Sequence, residues 1–340
     1  MKKFSAIMLA VLVVFALMPS QVKAEGSFKG YMASDYYYVL NHHDSGIEGR
    51  HGLWFRRIYL TYNGNVTDSI KMRLRFEMNS PGDYASSNTL DAFVKDAYLS
   101  FKLAGQSVNF GIIGPPTFGE IEDIWGYRAL EKTPLDLYKL RSSRDFGIAV
   151  SGNFDKGKTV SYTLMFGNGS SNKAETNNGK MIYGCLGFRP VKGMYIEAYG
   201  DYEDGGSGKK YYVYQGFASY SGDWGRVGFQ YSNKHYDHED TSMDWALISG
   251  FAVVKAAKGL DVILRYDKML DRPVPKTVDY IPFSTDATHS FIIAGLSFEA
   301  AKNIRIIPNV KLTMYDDPDD ETIEKPGNDV YANLTLWFKF

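Results

Sequence analysis

Lys71, Arg73 and Arg75 stand at every second position of one short segment, with Arg57 a little upstream. Cations at a two-residue period share one face of a strand, where they can hold and pass anions. In a narrow, partly desolvated passage such groups attract anions far more strongly than in bulk water. Arg144 is assigned to the same pore-lining basic set. Opposing charge is supplied by Glu120, Glu122 and Asp123 in the segment Gly114 to Ser142, which also carries Ile121, Ile124, Trp125, Leu130, Leu135 and Leu137. A loop that long and that apolar is expected to fold inward, because long ordered loops are usually functional. Its acids would then face the wall bases and set up a transverse field across a constriction. The alternative is that the loop charges form a solvated external face.

Other constellations have reactive residue types without a frame to hold them. His42, His43, Asp44 and His51, and likewise His235, His238, Glu239 and Asp240, are ligand-like but are expected on external loops, as solvated histidines rather than a metal site. The run Asp316 to Glu321 does not have calcium-loop spacing and reads as an acidic exposed loop. His289 and Ser290 are adjacent, so on a strand they point to opposite faces and cannot form a nucleophile and base. Cys185 stands alone, which excludes an intrachain disulfide and fits a packing residue. No catalytic residues and no cofactor are called for, and no enzyme is expected.

The element that must position the basic row is itself informative. From Ser69 to Asn79, Ile70, Met72, Leu74, Phe76 and Met78 face one way, and Lys71, Arg73, Arg75, Glu77 and Asn79 the other. A strand of about 9 to 11 residues crosses a tilted path through a bilayer, and four charges in one row suit the wall of a water-filled lumen. Similar alternation recurs near 28–38, 53–62, 69–79, 93–102, 107–113, 143–153, 159–167, 180–189, 194–202, 210–220, 225–234, 244–255, 260–268, 289–299, 304–315 and 329–340. The count is even, and tight connections such as 104–106 and 256–259 alternate with long ones such as 40–51 and 269–288. That is the asymmetry of a transmembrane antiparallel up-and-down β-barrel with both termini in the periplasm.

Composition agrees. The chain has 25 Tyr, 21 Phe and 5 Trp, suited to aromatic girdles at both membrane interfaces. Lys and Arg number 38 against 39 Asp and Glu, which gives no reason to expect nucleic acid as partner. Residues 1–24 have a basic start at Lys2 and Lys3, an apolar stretch from Ala6 to Met18 and Ala24 before Glu25, the pattern of a secretory signal peptide. The barrel is then assigned to 25–340. Its final strand alternates to the last residue, with Leu334, Leu336, Phe338 and Phe340 on one face and Tyr331, Thr335, Trp337 and Lys339 on the other. A terminal Phe340 resembles the C-terminal signature read by the barrel assembly machinery of Gram-negative outer membranes.

Arg56-Arg57-Ile58-Tyr59-Leu60, Val94-Lys95-Asp96-Ala97-Tyr98-Leu99, Val108-Asn109-Phe110-Gly111, Pro116-Thr117-Phe118 and Ser143-Arg144-Asp145-Phe146-Gly147-Ile148 occur in the order and rough spacing of a known group. Over about residues 52–152 the chain resembles the phosphate-selective porin family. The resemblance implies a sixteen-stranded homotrimeric outer-membrane channel, lined by basic residues and narrowed by inward-folded loops. It departs at Ile113-Gly114-Pro115-Pro116-Thr117-Phe118, where the family usually has a basic residue and a single proline. The expected function is passive diffusion of small hydrophilic solutes with a modest anion preference, phosphate-type anions among them, in contact with membrane lipid and lipopolysaccharide. Two alternatives stay open. One is an oligosaccharide channel using Tyr59, Tyr98, Tyr195, Tyr199, Tyr211 and Trp337 as an inward aromatic track, and the other is a surface adhesin or structural barrel.

Overall fold

The computed structural model describes residues 25–80, 84, 89–273 and 281–340. The signal peptide assigned to 1–24 lies outside them, as do parts of the long connections 80–91 and 269–288. The first eight strands are β1 (Glu25–Asn41), β2 (His51–Asn65), β3 (Ile70–Asn79), β4 (Asp91–Leu103), β5 (Gln106–Ile113), β6 (Asp145–Asn153), β7 (Val160–Gly167) and β8 (Met181–Phe188). They continue as β9 (Met194–Gly206), β10 (Lys209–Gly222), β11 (Gly225–His238), β12 (Thr241–Ala257), β13 (Leu260–Met269), β14 (His289–Ala301), β15 (Ile304–Tyr315) and β16 (Asp329–Lys339). Each pairs antiparallel with its sequence neighbours, and β1 pairs with β16 to close the barrel. All sixteen alternating segments fall on these strands.

Alternation decides which face meets lipid. Leu164, Phe229, Leu264 and Leu334 are 48% to 61% exposed, whereas the residues that follow them, Met165, Gln230, Arg265 and Thr335, are at most 3% exposed. The apolar face is therefore outside, as a hydrocarbon solvent requires, and the polar face is inside. Exposed Phe28, Phe154, Tyr220 and Trp224 ring one end of the wall, and Tyr36, Tyr38 and Tyr212 the other. Closure is completed by Gly30 and Phe340, whose peptide groups exchange hydrogen bonds of 2.9 and 3.0 Å.

One end of the barrel has only short turns, and most connections at the other are long, with two exceptions. β9 to β12 extend past the rim and are joined by two-residue turns at 207–208 and 239–240. Gly206 and Gly208 (φ 74° and 80°) and Glu239 (φ 51°) supply the left-handed backbone that such tight hairpins need. His235 and His238, expected on a loop, consequently lie on β11 within paired strand.

Two of the β-bulges, in β2 and β4, redirect charged side chains. Ala33 pairs with Arg57 and Ser34 with Phe55, which leaves Arg56 as an extra residue in β2. In β4, Arg75 of the neighbouring strand pairs with Asp96 and Phe76 with Val94, which leaves Lys95 extra. A bulge lets two consecutive side chains point the same way, so Arg56 and Arg57 both face inward, as do Lys95 and Asp96. Strict alternation would have sent Arg56 and Lys95 into lipid.

Between β5 and β6 the chain folds into the barrel, as its length and apolar content predict. It forms helices α1 (Phe118–Trp125) and α2 (Pro134–Leu137). Gly126 (φ 70°) ends α1 and donates its N–H to the Glu122 carbonyl at 2.9 Å, a left-handed cap that glycine adopts without steric cost. Trp125, Leu130, Leu135 and Leu140 are fully buried with Ile263, Ile293 and Ile307 of the wall.

Candidate functional site

The inward loop is fixed to the wall by buried charges. Glu131, wholly inaccessible, lies 3.2 Å from Arg56 of β2 and 2.9 Å from Lys311 of β15. The same two cations donate to loop carbonyls, Arg56 to Ala129 at 3.1 Å and Lys311 to Leu130 at 2.9 Å. Arg265 of β13, held by Asp267, donates to the Lys132 carbonyl at 2.5 Å, and Arg226 of β11 donates to that of Trp125 at 2.9 Å. Arg141 of the loop reaches Asp201 and Glu203 of β9, both at 2.5 Å. A buried carboxylate or guanidinium is tolerable only when paired in this way. Apart from Arg56, quoted as part of the resemblance, none of these wall anchors was singled out from sequence, where β-strand charges read alike whether they meet water or a loop.

Apart from the Arg56 anchor, the loop stands off from β1 to β4 and leaves a recess of about 410 Å³. Lys29, Arg73, Arg75, Arg128 and Lys339 line it, together with Glu122 and Asp123. It adjoins a second recess of about 520 Å³ that shares Arg73 and Asn63 and opens past Lys71. Arg73 lies 5.8 Å from the Tyr98 ring centroid and bonds Asn63 at 2.8 Å; Arg75 lies 4.7 Å from that of Tyr59 and bonds Thr61 at 2.8 Å. These contacts hold both guanidinium groups at the wall.

The five basic residues assigned to the pore separate into two groups. Lys71, Arg73 and Arg75 border the recesses. Arg57 is buried and bonds Glu77 at 2.8 Å, with Lys95 on the other side of that carboxylate at 2.9 Å. Arg144 is engaged by Asp96, which also lies 3.4 Å from Arg75. Their charge is therefore largely balanced within the wall. The three loop acids differ as well. Glu120 pairs with Arg189 at 2.5 Å in exposed surroundings, and Glu122 pairs with Arg128, which also reaches Asp136 at 3.2 Å. Asp123 faces the recess, and burial, then Glu120, raise its carboxyl above the ordinary aspartate range. Asp136 behaves oppositely: burial alone would raise it, but the Lys132 and Arg128 charges hold it well below that range.

The aromatic candidates do not form one track. Tyr195 and Tyr199 are buried, donating to Glu197 at 2.6 Å and Asp201 at 2.5 Å, and Tyr211 sits in the projecting hairpins beside Tyr236. Only Tyr59, Tyr98 and Trp337 border the recesses. Ser290 bonds Tyr266, while His289 stacks on Phe283. Cys185 is buried against the loop, as a packing residue should be. The expectation for His42 and His43 is overturned. They are not solvated loop histidines: His42 is 5% exposed, the two rings stack at 4.4 Å, and both turn toward the inaccessible Asp329 of β16. Closure of the barrel brings together residues 286 positions apart.

No family model matches the sequence, and no curated protein matches it significantly. Solved structures do. The chain is similar to an anion-selective porin from Comamonas acidovorans, with 12% identity over 94% of this chain and 100% of that one and a TM-score of 0.69. It is similar to the outer membrane channel DcaP of Acinetobacter baumannii, with 12% identity over 95% and 99% and a TM-score of 0.65. It is also similar to the trimer form of OmpT, an outer membrane protein of Vibrio cholerae, with 12% identity over 93% and 99% and a TM-score of 0.62. At such identities the likeness concerns the fold, that of outer-membrane porins in general and not of a phosphate-selective subgroup.

Proposed function

We propose that this barrel is an outer-membrane diffusion channel for small hydrophilic solutes, with a modest preference for anions. The observation that carries the reading is the charge balance of the recess against the loop, where Lys29, Arg73, Arg75, Arg128 and Lys339 face only Glu122 and Asp123. An excess of fixed cations in a confined, low-dielectric passage lowers the free energy of an entering anion and raises that of a cation. The neighbours' fold supports the outer-membrane location, and the trimer form of one of them supports a homotrimer. In that setting the turn end is periplasmic, residues 1–24 direct export, and Phe340, paired across the seam with Gly30, is the assembly signal.

The finer reading is a phosphate-type anion. Arg73 and Arg75, each placed beside a tyrosine ring, carry planar forks of donors that suit tetrahedral oxyanions better than chloride. The broken aromatic track gives an oligosaccharide no comparable path. Reversal potentials of the protein in planar bilayers under a salt gradient test the reading. A potential on the anion side is expected, with phosphate lowering chloride conductance at millimolar concentration. A cation-side potential would overturn the anion preference, and conductance indifferent to phosphate would overturn the finer reading.

A further inference from the structure

We propose that His42, His43 and Asp329 form a binding site for a borderline-soft divalent transition ion of the zinc type, stapling the first strand to the last at the loop end of the barrel. One ligand atom from each residue lies within 4.8 Å of the other two. His43 Nδ1 is 2.8 Å from Asp329 Oδ1, and His42 Nε2 is 3.9 Å from it. Those separations bracket the roughly 3.4 Å between donors that each stand about 2.1 Å from a tetrahedral ion. Two imidazoles and one carboxylate favour zinc, nickel or copper over magnesium or calcium.

Two further observations point to a cation. His42 Nε2 is buried, and among the described residues it has no hydrogen-bond partner. The Asp329 carboxylate is inaccessible, and among the described residues neither lysine nor arginine pairs with it. A buried carboxylate needs a compensating charge. Its second oxygen is already fixed by Tyr315, whose hydroxyl donates to Oδ2 at 2.6 Å, the outer-shell support common to metal carboxylates.

The proton inventory closes. Without metal, the Asp44 N–H donates to His42 Nδ1 at 2.9 Å, which places the ring proton on Nε2. On binding, that proton moves to Nδ1, the Asp44 peptide turns away, and the Nε2 lone pair goes to the ion. In His43 the proton moves from Nδ1 to Nε2. Neither ring gains or loses a proton overall. The staple would sit next to the point where the β1–β16 ladder slips, between Val39 and Asn41, and would reinforce the seam there.

The test is calorimetric titration of the folded full-length protein in detergent with Zn²⁺ in a non-coordinating buffer, with X-ray absorption to count nitrogen and oxygen ligands. One ion per barrel is expected, with affinity falling at least tenfold in His43→Gln and in Asp329→Asn and unchanged in a His235→Gln, His238→Gln control. Zn²⁺ should also raise the temperature at which the wild type loses its compact gel migration, but not that of His43→Gln. If Asp329→Asn does not fold, the partly exposed His43→Gln still decides. Equal binding by wild type and His43→Gln would overturn the site. So would nitrogen chemical shifts showing a His43 imidazolium paired to Asp329 and indifferent to Zn²⁺, since a simple ion pair would then neutralise the carboxylate.

Discussion

The arc from β9 to β15 and the arc from β1 to β4 are built on the same alternation, yet their inward charges do different work. On the first, Arg226, Arg265 and Lys311, and the Asp201 and Glu203 that take Arg141 of the loop, are spent on contacts between loop and wall. On the second, Glu77 and Asp96 take Arg57, Lys95 and Arg144 sideways within the wall, while Lys71 and Arg73, toward the turn end, have no carboxylate partner among the described residues. Whether an inward cation becomes an anchor or a solute contact is decided by what lies opposite it, a loop carbonyl or water, and not by its place in the alternation.

The sharpest break of that contrast is Glu131→Ala. It leaves Arg56 and Lys311 buried without their shared carboxylate, a loss of about 3 to 5 kcal/mol for a broken buried pair. The folded barrel should lose its compact gel migration at lower temperature, and single-channel conductance should rise as the loop loosens. Leu74→Arg is next. It places a charge on the lipid face of β3, costing about 2 to 4 kcal/mol near the midplane, and should lower folding yield in bilayers without changing the selectivity of channels that do insert. A wild-type yield would mean that the faces of β3 are reversed.

Replacing Lys71, Arg73 and Arg75 together by Gln should leave folding intact and move the reversal potential toward cations. The shift should shrink between about 0.1 M and 1 M salt, as the screening length falls from about 10 Å to 3 Å. Arg57→Gln should move selectivity much less, because Glu77 already balances that charge; an equal shift would erase the distinction between balanced and available bases. The smallest effect expected is with pH. Because its carboxyl is raised, Asp123 takes up a proton earlier than an ordinary aspartate as pH falls, so anion preference should increase on acidification, and Asp123→Asn should abolish that increase.

Much of the barrel was legible because a period of two, repeated with a charged face such as that of β3, admits few other structures. The inward loop was legible from its length and from side chains like Trp125 and Leu130, which water would not accept. The bulges were not, since either residue of Arg56-Arg57 or of Lys95-Asp96 could be the inward one and a one-residue slip shows only in the pairing. The hairpins at 207–208 and 239–240 were hidden for a related reason: Asp204-Gly205-Gly206 reads as a loop, but pairing continues through it. The joining of His42 and His43 to Asp329 depends on ring closure, which no local pattern encodes.

Each bulge absorbs one residue without moving the pairs on either side of it. Arg56 and Lys95 are thus places where the chain can gain or lose a link while every neighbouring row stays in step. Elsewhere in β2 or β4 a single-residue insertion would turn half a strand inside out. At these two points it adds one inward cation and nothing else. A barrel of fixed strand number can therefore change its inner chemistry by altering chain length, a route separate from exchanging one side chain for another.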